Sequence, residues 1–315
     1  MTERAHFLVD NSDAASLHAV IRKLVRTGYS EIFVRERLGL ADLAEVQWRL
    51  VSIYRSERLS ARDPLDLAID LFFLQGALTQ EEVERLLLPP ERDLLIRAGL
   101  LAIDEAGLAQ VRASLFPVGN HLIFSDHAWP ELPHPGLDPV PHDQVMGIGL
   151  DSRNLARCTI RRPFLAALDI CAGSGIHALL AATHTKQVTA VDINSRAASC
   201  TQFNARVSGF GNLDVLVGDV FEGLGDRRFD LITANPPFVP SPLNTLLFRD
   251  GGPSGEDIQK RIIAGLPDRL ALPGLRRLLL NLENARASRW SADYVNGFGV
   301  RPWTSIFCGS ANIPR

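Results

Sequence analysis

Two rhythms of apolar residues divide the chain. As far as residue 115 the spacing is three and four, the period of helices with one buried face. The stretch "SLHAVIRKLVRTGY" sets Leu17, Ile21, Leu24 and Val25 on one face, and "DPLDLAIDLFFLQG" does the same with Leu65, Ile69 and Phe72 or Phe73. Thr79 with Glu82 three residues on spells a capping box at the head of "LTQEEVERLL". The run "PPERDLLIRAGLLAIDEAGLAQVRASLF" reads as a helix, a short strand, a turn at Asp104–Gly107 and a second strand. Helices followed by a hairpin predict a mainly helical, winged-helix-like domain over 1–115, suited to substrate recognition or dimerisation. Residues 116–150, rich in Pro, His and Gly, predict a connector with a strand at "HLIFSD".

From residue 165 the rhythm changes. "FLAALDI", "QVTAVDI", "LDVLVGD", "FDLITA" and "LRRLLLNL" are short apolar runs of strand length. Between most of them lie helical stretches: "IHALLAATH", "SRAASCTQFNARVSGF" and "GEDIQKRIIAGLPDRL". Strands alternating with helices predict an α/β domain over 151–315, a mostly parallel sheet with helices on both faces. Ligands of such sheets bind at the carboxyl ends of the strands.

Composition narrows the setting. The chain has 315 residues, 46% hydrophobic, with net charge −3, the profile of a globular protein long enough for two domains. Its apolar runs are too short for a membrane span, and "MTERAHFLVDNSD" lacks the apolar core of a signal peptide. Cys158, Cys171, Cys200 and Cys308 form no C-x-x-C pair, and the histidines have no metal-ligand spacing. A cytoplasmic protein with reduced thiols and no metal is the expectation. Residues 1–115 hold 14 Lys and Arg against 18 Asp and Glu, a net charge of −4 that leaves +1 for the rest. A domain that neutralises phosphates should be basic, so the winged-helix-like part is expected to grip a protein rather than a nucleic acid.

The candidate chemistry sits at the ends of the predicted strands. "LDICAGSG" carries Asp169, Cys171, Gly173 and Gly175, a tight strand-to-helix turn whose backbone can approach a ligand closely. A G-x-G alone is a weak sign, and with Ala178 in the third position a nicotinamide site stays open on this segment alone. Asp192 ends "TAVD", about where an acid holds ribose hydroxyls. Asp219 with Val220 ends "VLVGDV", and Asn235-Pro236-Pro237-Phe238 ends "LITA". Two prolines stop a strand and remove N–H donors. An ordinary turn does that too; a solvated helix cap accounts equally for Asp192 and Asp219, and a loop-stapling carboxylate for Asp169.

Taken together, "LDICAGSG", "AVDIN", "GDVF" and "ANPPF" resemble, in order and spacing, the class I S-adenosylmethionine-dependent methyltransferases with a Rossmann-like fold. Over about 145–282 the likeness is to the branch with an Asn-Pro-Pro-aromatic motif that methylates planar nitrogen. "RDGGPSGEDIQKRII" resembles the glutamine-modifying members, those acting on release factors and ribosomal protein. Cys171 stands where many members have Gly. The resemblance implies S-adenosyl-L-methionine as cofactor, held by Asp169, Cys171, Gly173, Gly175, Asp192, Asp219, Val220 and Asn235. Asn235, Pro236, Pro237 and Phe238 are implied at the catalytic centre. The Asn235 carbonyl and the Pro236 carbonyl would accept from the acceptor NH2, and Phe238 would stack on it. Since a carboxylate also accepts, Asn235→Asp is expected to keep part of the activity. "DSRNLARCTIRRP" covers the cofactor in such enzymes; read by itself it is a solvated amphipathic helix. A protein glutamine side chain is the favoured substrate. The alternatives are N6-adenine or N2-guanine in a nucleic acid, or a non-catalytic regulator that binds the cofactor. The segment 283–315 leaves room for a helix and one strand, less than the usual closing strand pair.

Overall fold

The computed structural model describes residues 13–127, 141–243 and 245–271, with the backbone of 277–280. The closing helix and strand expected after 283, and the proline-rich part of the connector at 128–140, lie outside the described residues. Among the described residues two compact units separate. The first takes 13–127, 146–148 and 203–209; the second takes 141–145, 149–202 and 210 onward.

The first unit opens with α1 (Ala14–Arg26), which buries Leu17, Val20, Ile21 and Leu24, and α2 (Glu31–Leu38). Two short helices follow, α3 (Val51–Ile53) and α4 (Pro64–Ala68), each widening into a π-helical turn, Tyr54–Arg58 and Ile69–Phe73. The second π turn buries Ile69, Asp70, Leu71, Phe72 and Phe73 together. The buried Asp70 carboxylate is met by Arg55 at 2.7 Å and Arg62 at 2.6 Å, the pairing a buried charge requires. After β1 (Ala77–Leu78), the Thr79–Glu82 capping box starts α5 (Gln80–Leu86), and α6 (Pro89–Arg97) follows. Strands β2 (Leu101–Ile103) and β3 (Ala109–Val111) form the hairpin expected around Asp104–Gly107, and β1 adds to β3 in an antiparallel sheet of order β1-β3-β2. The Asp104 carboxylate accepts from the N–H groups of Ala106 and Leu108 and holds the turn. A second hairpin, β4 (Ser114–Val118) with β5 (His121–Ser125), covers the expected strand at "HLIFSD" and begins before it.

The second unit begins with α7 (Leu150–Cys158), then alternates: β6 (Phe164–Ile170), α8 (Ile176–Ala182), β7 (Thr185–Asp192), α9 (Ser195–Val207, whose residues from 203 on count with the first unit), β8 (Leu213–Val217), β9 (Leu231–Ala234), α10 (Asp257–Arg269) and β10 (Arg277–Leu280). All five strands run parallel in the order β10-β9-β6-β7-β8, the α/β Rossmann-like sheet the alternation predicts. Leu168, Ile170, Val191 and Ile232 pack in one core with Ile262 and Leu266 of α10 and with Val220 and Phe229 from the connecting turns. Each such side chain contributes about 1.5–3 kcal/mol by leaving water. Among the described residues no helix is long and apolar enough to cross a membrane.

One carboxylate fastens the centre of this sheet. The register of β6 on β9 sets Asp169 opposite Thr233. Thr233 Oγ1 donates to Asp169 Oδ1 at 2.8 Å, and the Ala178 N–H in the first turn of α8 donates to Oδ2 at 3.0 Å. Asp169 is buried. Burial pushes its carboxyl up to about 8 with help from Asp192, against the two hydrogen bonds. In the unfolded chain the same group ionises near ~3.9. Its contribution to stability is therefore complete below about pH 4 and declines as the pH rises through about 8. His177 of α8, buried with neither ring nitrogen bonded, is held down to about 4 by burial and then by Arg161. It acts in the opposite sense, losing stability as the pH falls from about 6.5 through about 4.

Asp169→Asn keeps the shape, accepts from Ala178 and can donate to Thr233, so it should fold and remove the alkaline decline. Asp169→Ala strands the Ala178 N–H and should cost about 1–3 kcal/mol. Urea unfolding of parent and variant between pH 5 and 9 checks this, the difference between the two curves removing the His177 contribution; superimposable slopes would mean that Asp169 does not titrate there.

Candidate functional site

From β6 the chain steps through β7 and β8 on one side, then returns to place β9 and β10 on the other. The direction of winding thus reverses between β6 and β9. Neighbouring connections leave a crevice at such a point, outside the carboxyl ends of the strands. The two segments that leave these strands into that crevice are Cys171–Gly175 and Asn235–Phe238.

The Cys171–Gly175 turn is shaped by three left-handed residues, Cys171 (φ 58), Gly173 (φ 58) and Gly175 (φ 85). At Gly175 a Cβ would lie 2.8 Å from Thr201 Cγ2 and 2.9 Å from Leu179 Cδ1, so the inner side of the turn is closed. At Gly173 a Cβ would meet nothing within 4 Å. This open flank, at the head of a helix, is the room a ligand needs. Cys171 carries the strain of a side chain in left-handed backbone (φ 58), roughly 1–2 kcal/mol. Its thiol is pushed well above the usual range by burial, then by Asp192, Asp169 and Asp219, with Arg261 opposing. The side chain packs against the core, and the thiolate, the nucleophilic form, is disfavoured.

Asp192, at the end of β7, is tied to the same turn. Its Oδ2 accepts from the Gly173 N–H at 2.8 Å and its Oδ1 from the Asn194 N–H at 2.9 Å. Burial raises its pKa against these bonds. A carboxylate offers about four acceptor sites, so the two backbone bonds fix its orientation and leave capacity for ribose hydroxyls. Asp219 lies two residues past β8, with Oδ2 paired to Arg261 of α10 at 2.8 Å. Val220 follows in left-handed backbone (φ 55), its side chain in the core. Non-glycine residues in that region cluster at binding sites, and here Cys171 and Val220 both follow strand ends of one sheet.

Asn235 leaves β9 half-buried, with Pro236 buried behind it. Its Nδ2 donates to Asp151 Oδ2 at 2.9 Å and to Ser152 Oγ at 3.1 Å. Both partners open α7, a helix whose Ser152, Arg153, Leu155 and Ala156 are buried. The arginines of this stretch suggest a solvated helix when read alone; the structure instead seats its first turn on Asn235. The small and apolar period of Ser152, Leu155 and Ala156 was the available signal for burial, masked by four arginines. Nothing local in the sequence pairs residue 151 with 235.

Past Phe238 the backbone is clasped by the glycine-rich stretch. Val239 N–H donates to Arg249 O, and Gly251 N–H to Val239 O, both at 2.9 Å. A Cβ at Gly251 would lie 2.7 Å from the Pro237 carbonyl, and one at Gly255 would overlap the Phe238 carbonyl. The spelling "GGPSG" is thus the condition for this close approach. Asp250 locks the loop by accepting from Arg249, Thr245 and the Leu246 N–H. Burial works to raise its carboxyl, but Arg249 and the other donors outweigh it and hold the value at about 2. Of the residues expected at the site, Asp169 and Asp192 are bonded around the Gly turn. Asn235 is tied to α7, and Asp219 is turned to Arg261.

The methyltransferase small domain family matches residues 150–274. The ribosomal protein uL3 glutamine methyltransferase of Bradyrhizobium diazoefficiens is 39% identical over 123 residues, 34% of this chain and 38% of that protein. The release factor glutamine methyltransferase of Geobacter sulfurreducens is 35% identical over 165 residues, 48% of this chain and 58% of that protein. The tRNA1(Val) (adenine(37)-N6)-methyltransferase of Porphyromonas gingivalis is 39% identical over 85 residues, 24% of this chain and 33% of that protein. The matched segments span between 33% and 58% of these relatives. The second unit of this chain therefore carries a class I S-adenosylmethionine-dependent methyltransferase domain, close to those of the glutamine N-methyltransferases.

Proposed function

We propose that the chain transfers the methyl group of S-adenosyl-L-methionine to a planar nitrogen, with a protein glutamine side chain of the translation machinery as the favoured acceptor. The observation that carries this reading is the meeting of the Gly turn and Asn235-Pro236-Pro237-Phe238 at one switch point, between β6 and β9. The similarity to uL3 and release factor glutamine methyltransferases supports the acceptor class. A cytoplasmic setting follows from that substrate.

The fit of the cofactor rests on the open flank of Gly173, the closed side of Gly175 and the fixed carboxylate of Asp192. Cys171 and Val220 shape the walls, Asp192 takes the ribose and Asp219 the adenine amine. Asp169 acts from behind, by holding α8 to the strands. Bound there, the cofactor would supply an electrophilic methyl group. The protein's part is orientation. An amide nitrogen is a poor nucleophile because its lone pair is delocalised, so it must be held in line. The carbonyls of Asn235 and Pro236 accept from the NH2 group and favour the positive charge that grows on nitrogen. Phe238 offers a flat face.

The first unit supplies recognition of the protein substrate or a dimer contact. Its helices and the β1-β3-β2 sheet suit a winged-helix-like fold, and its negative charge disfavours a nucleic acid. A base nitrogen is the second reading, favoured by the likeness to the adenine methyltransferase.

Labelled methyl transfer into fractionated lysate separates the readings: protease-sensitive product supports glutamine, nuclease-sensitive product supports a base, and no product with intact cofactor binding supports a regulator. Calorimetry should find micromolar affinity for the cofactor, on the order of −8 kcal/mol. Asp192→Ala should weaken it by about 1–3 kcal/mol; tight NAD binding in its place would end the methyltransferase reading. Asn235→Ala should lower kcat by about 10²–10³-fold with cofactor affinity retained. Turnover at the parent rate would reduce the motif to a strand-ending turn.

A further inference from the structure

We propose that Asp151 is the positioning residue for the Asn235 carboxamide, and that it is the reason position 235 holds an amide and not a carboxylate. This rests on the reading of Asn235 as the group that meets the acceptor nitrogen. An Asn side chain has two chemically opposite ends, a donor and an acceptor, and only the acceptor end can receive an NH2 group. Free rotation would present the wrong end half the time. Asp151 settles the choice, because an ionised carboxylate only accepts. Its Oδ2 takes the Asn235 Nδ2 at 2.9 Å, with Ser152 Oγ alongside at 3.1 Å. The carbonyl is thereby the end turned away from Asp151. A charge-assisted bond to one end of an amide also draws electron density toward the other, so the carbonyl becomes a stronger acceptor.

The sequence around Asp151 is arranged for this. Gly149, in extended backbone, begins the helix, and a Cβ there would lie 2.7 Å from Asp151 Oδ1. Glycine leaves the space in which one carboxylate oxygen sits while the other reaches Asn235. Ser152 and Arg153, which follow Asp151 in the first turn of α7, are buried, so the half-buried carboxylate is carried by a packed element.

The pairing overturns the expectation drawn from the motif alone that Asn235→Asp keeps part of the activity. In this chain that change sets two carboxylates face to face, and two such groups about 3 Å apart cannot both ionise. Changing the partner as well restores a donor against an acceptor: in Asp151→Asn/Asn235→Asp the new amide donates to the new carboxylate. Asn235→Asp alone should lose about 10²-fold in kcat, and the double variant should return to within about 10-fold of the parent, a positive coupling between neighbours. Gly149→Ala, which crowds Asp151 without changing charge, should cost kcat about 10-fold with KM for the acceptor little altered.

The test uses the full chain, with steady-state methyl transfer, calorimetric cofactor binding and urea stability against pH. Asn235→Asp should become less stable as the pH rises and the shared proton is lost, a decline in excess of the one that Asp169 gives parent and double variant alike. Cofactor affinity should stay within about 3-fold throughout. A double variant no better than Asn235→Asp in either turnover or alkaline stability would overturn the proposal. If no variant, the parent included, transfers a methyl group, the function proposed above fails, while the pH–stability comparison still reports whether the two side chains are paired.

Discussion

The pairing of β6 with β9 is the constraint on which the site depends. These strands are neighbours in the sheet but not in the chain, and joining them requires the crossing that reverses the winding. Their register sets Asp169 against Thr233, and the same carboxylate reaches the first turn of α8. A slip of one residue would turn every side chain of β9 to the opposite face. It would also part Asp169 from its hydroxyl partner and move Asn235 away from α7. Geometry at the crevice is thus a consequence of register, and a buried carboxyl that prefers its proton near neutrality helps to fix that register.

Around this pairing the backbone is held by contacts that forbid side chains. Gly175 is enclosed by Thr201 and Leu179, and Gly251 and Gly255 by the carbonyls of Pro237 and Phe238. The Gly turn and the glycine-rich stretch after the double proline are two halves of one device. The first presses backbone against the side chains of Thr201 and Leu179 and leaves a flank open; the second brings backbone against backbone and keeps a loop in place. Asp250 secures the second half with a charge that persists far into acid.

Much of this was legible in the sequence, and the limits of legibility are physical. The strands, the helices between them, the hairpin at Asp104 and the capping box at Thr79 are local, written in apolar period and turn chemistry. The double proline and the glycines mark the two ends that meet, because both residue types constrain backbone wherever they stand. The contacts that orient the side chains were not legible. Asp151 meets Asn235 across 84 positions, Arg261 meets Asp219 across 42, and Thr233 meets Asp169 across 64. No period or spacing encodes such pairs. The likeness to known methyltransferases gave the acids their expected roles but not their protein partners: Asp169 bonds to α8 and β9.

Cys171 has a consequence outside catalysis. A thiol in a ligand crevice would ordinarily expose an enzyme to peroxide and alkylating agents, because the thiolate is the form they attack. Here burial, and then the acids Asp192, Asp169 and Asp219, push the thiol up and disfavour that form. The turn gains the bulk of a small apolar side chain and escapes the reactivity that comes with it.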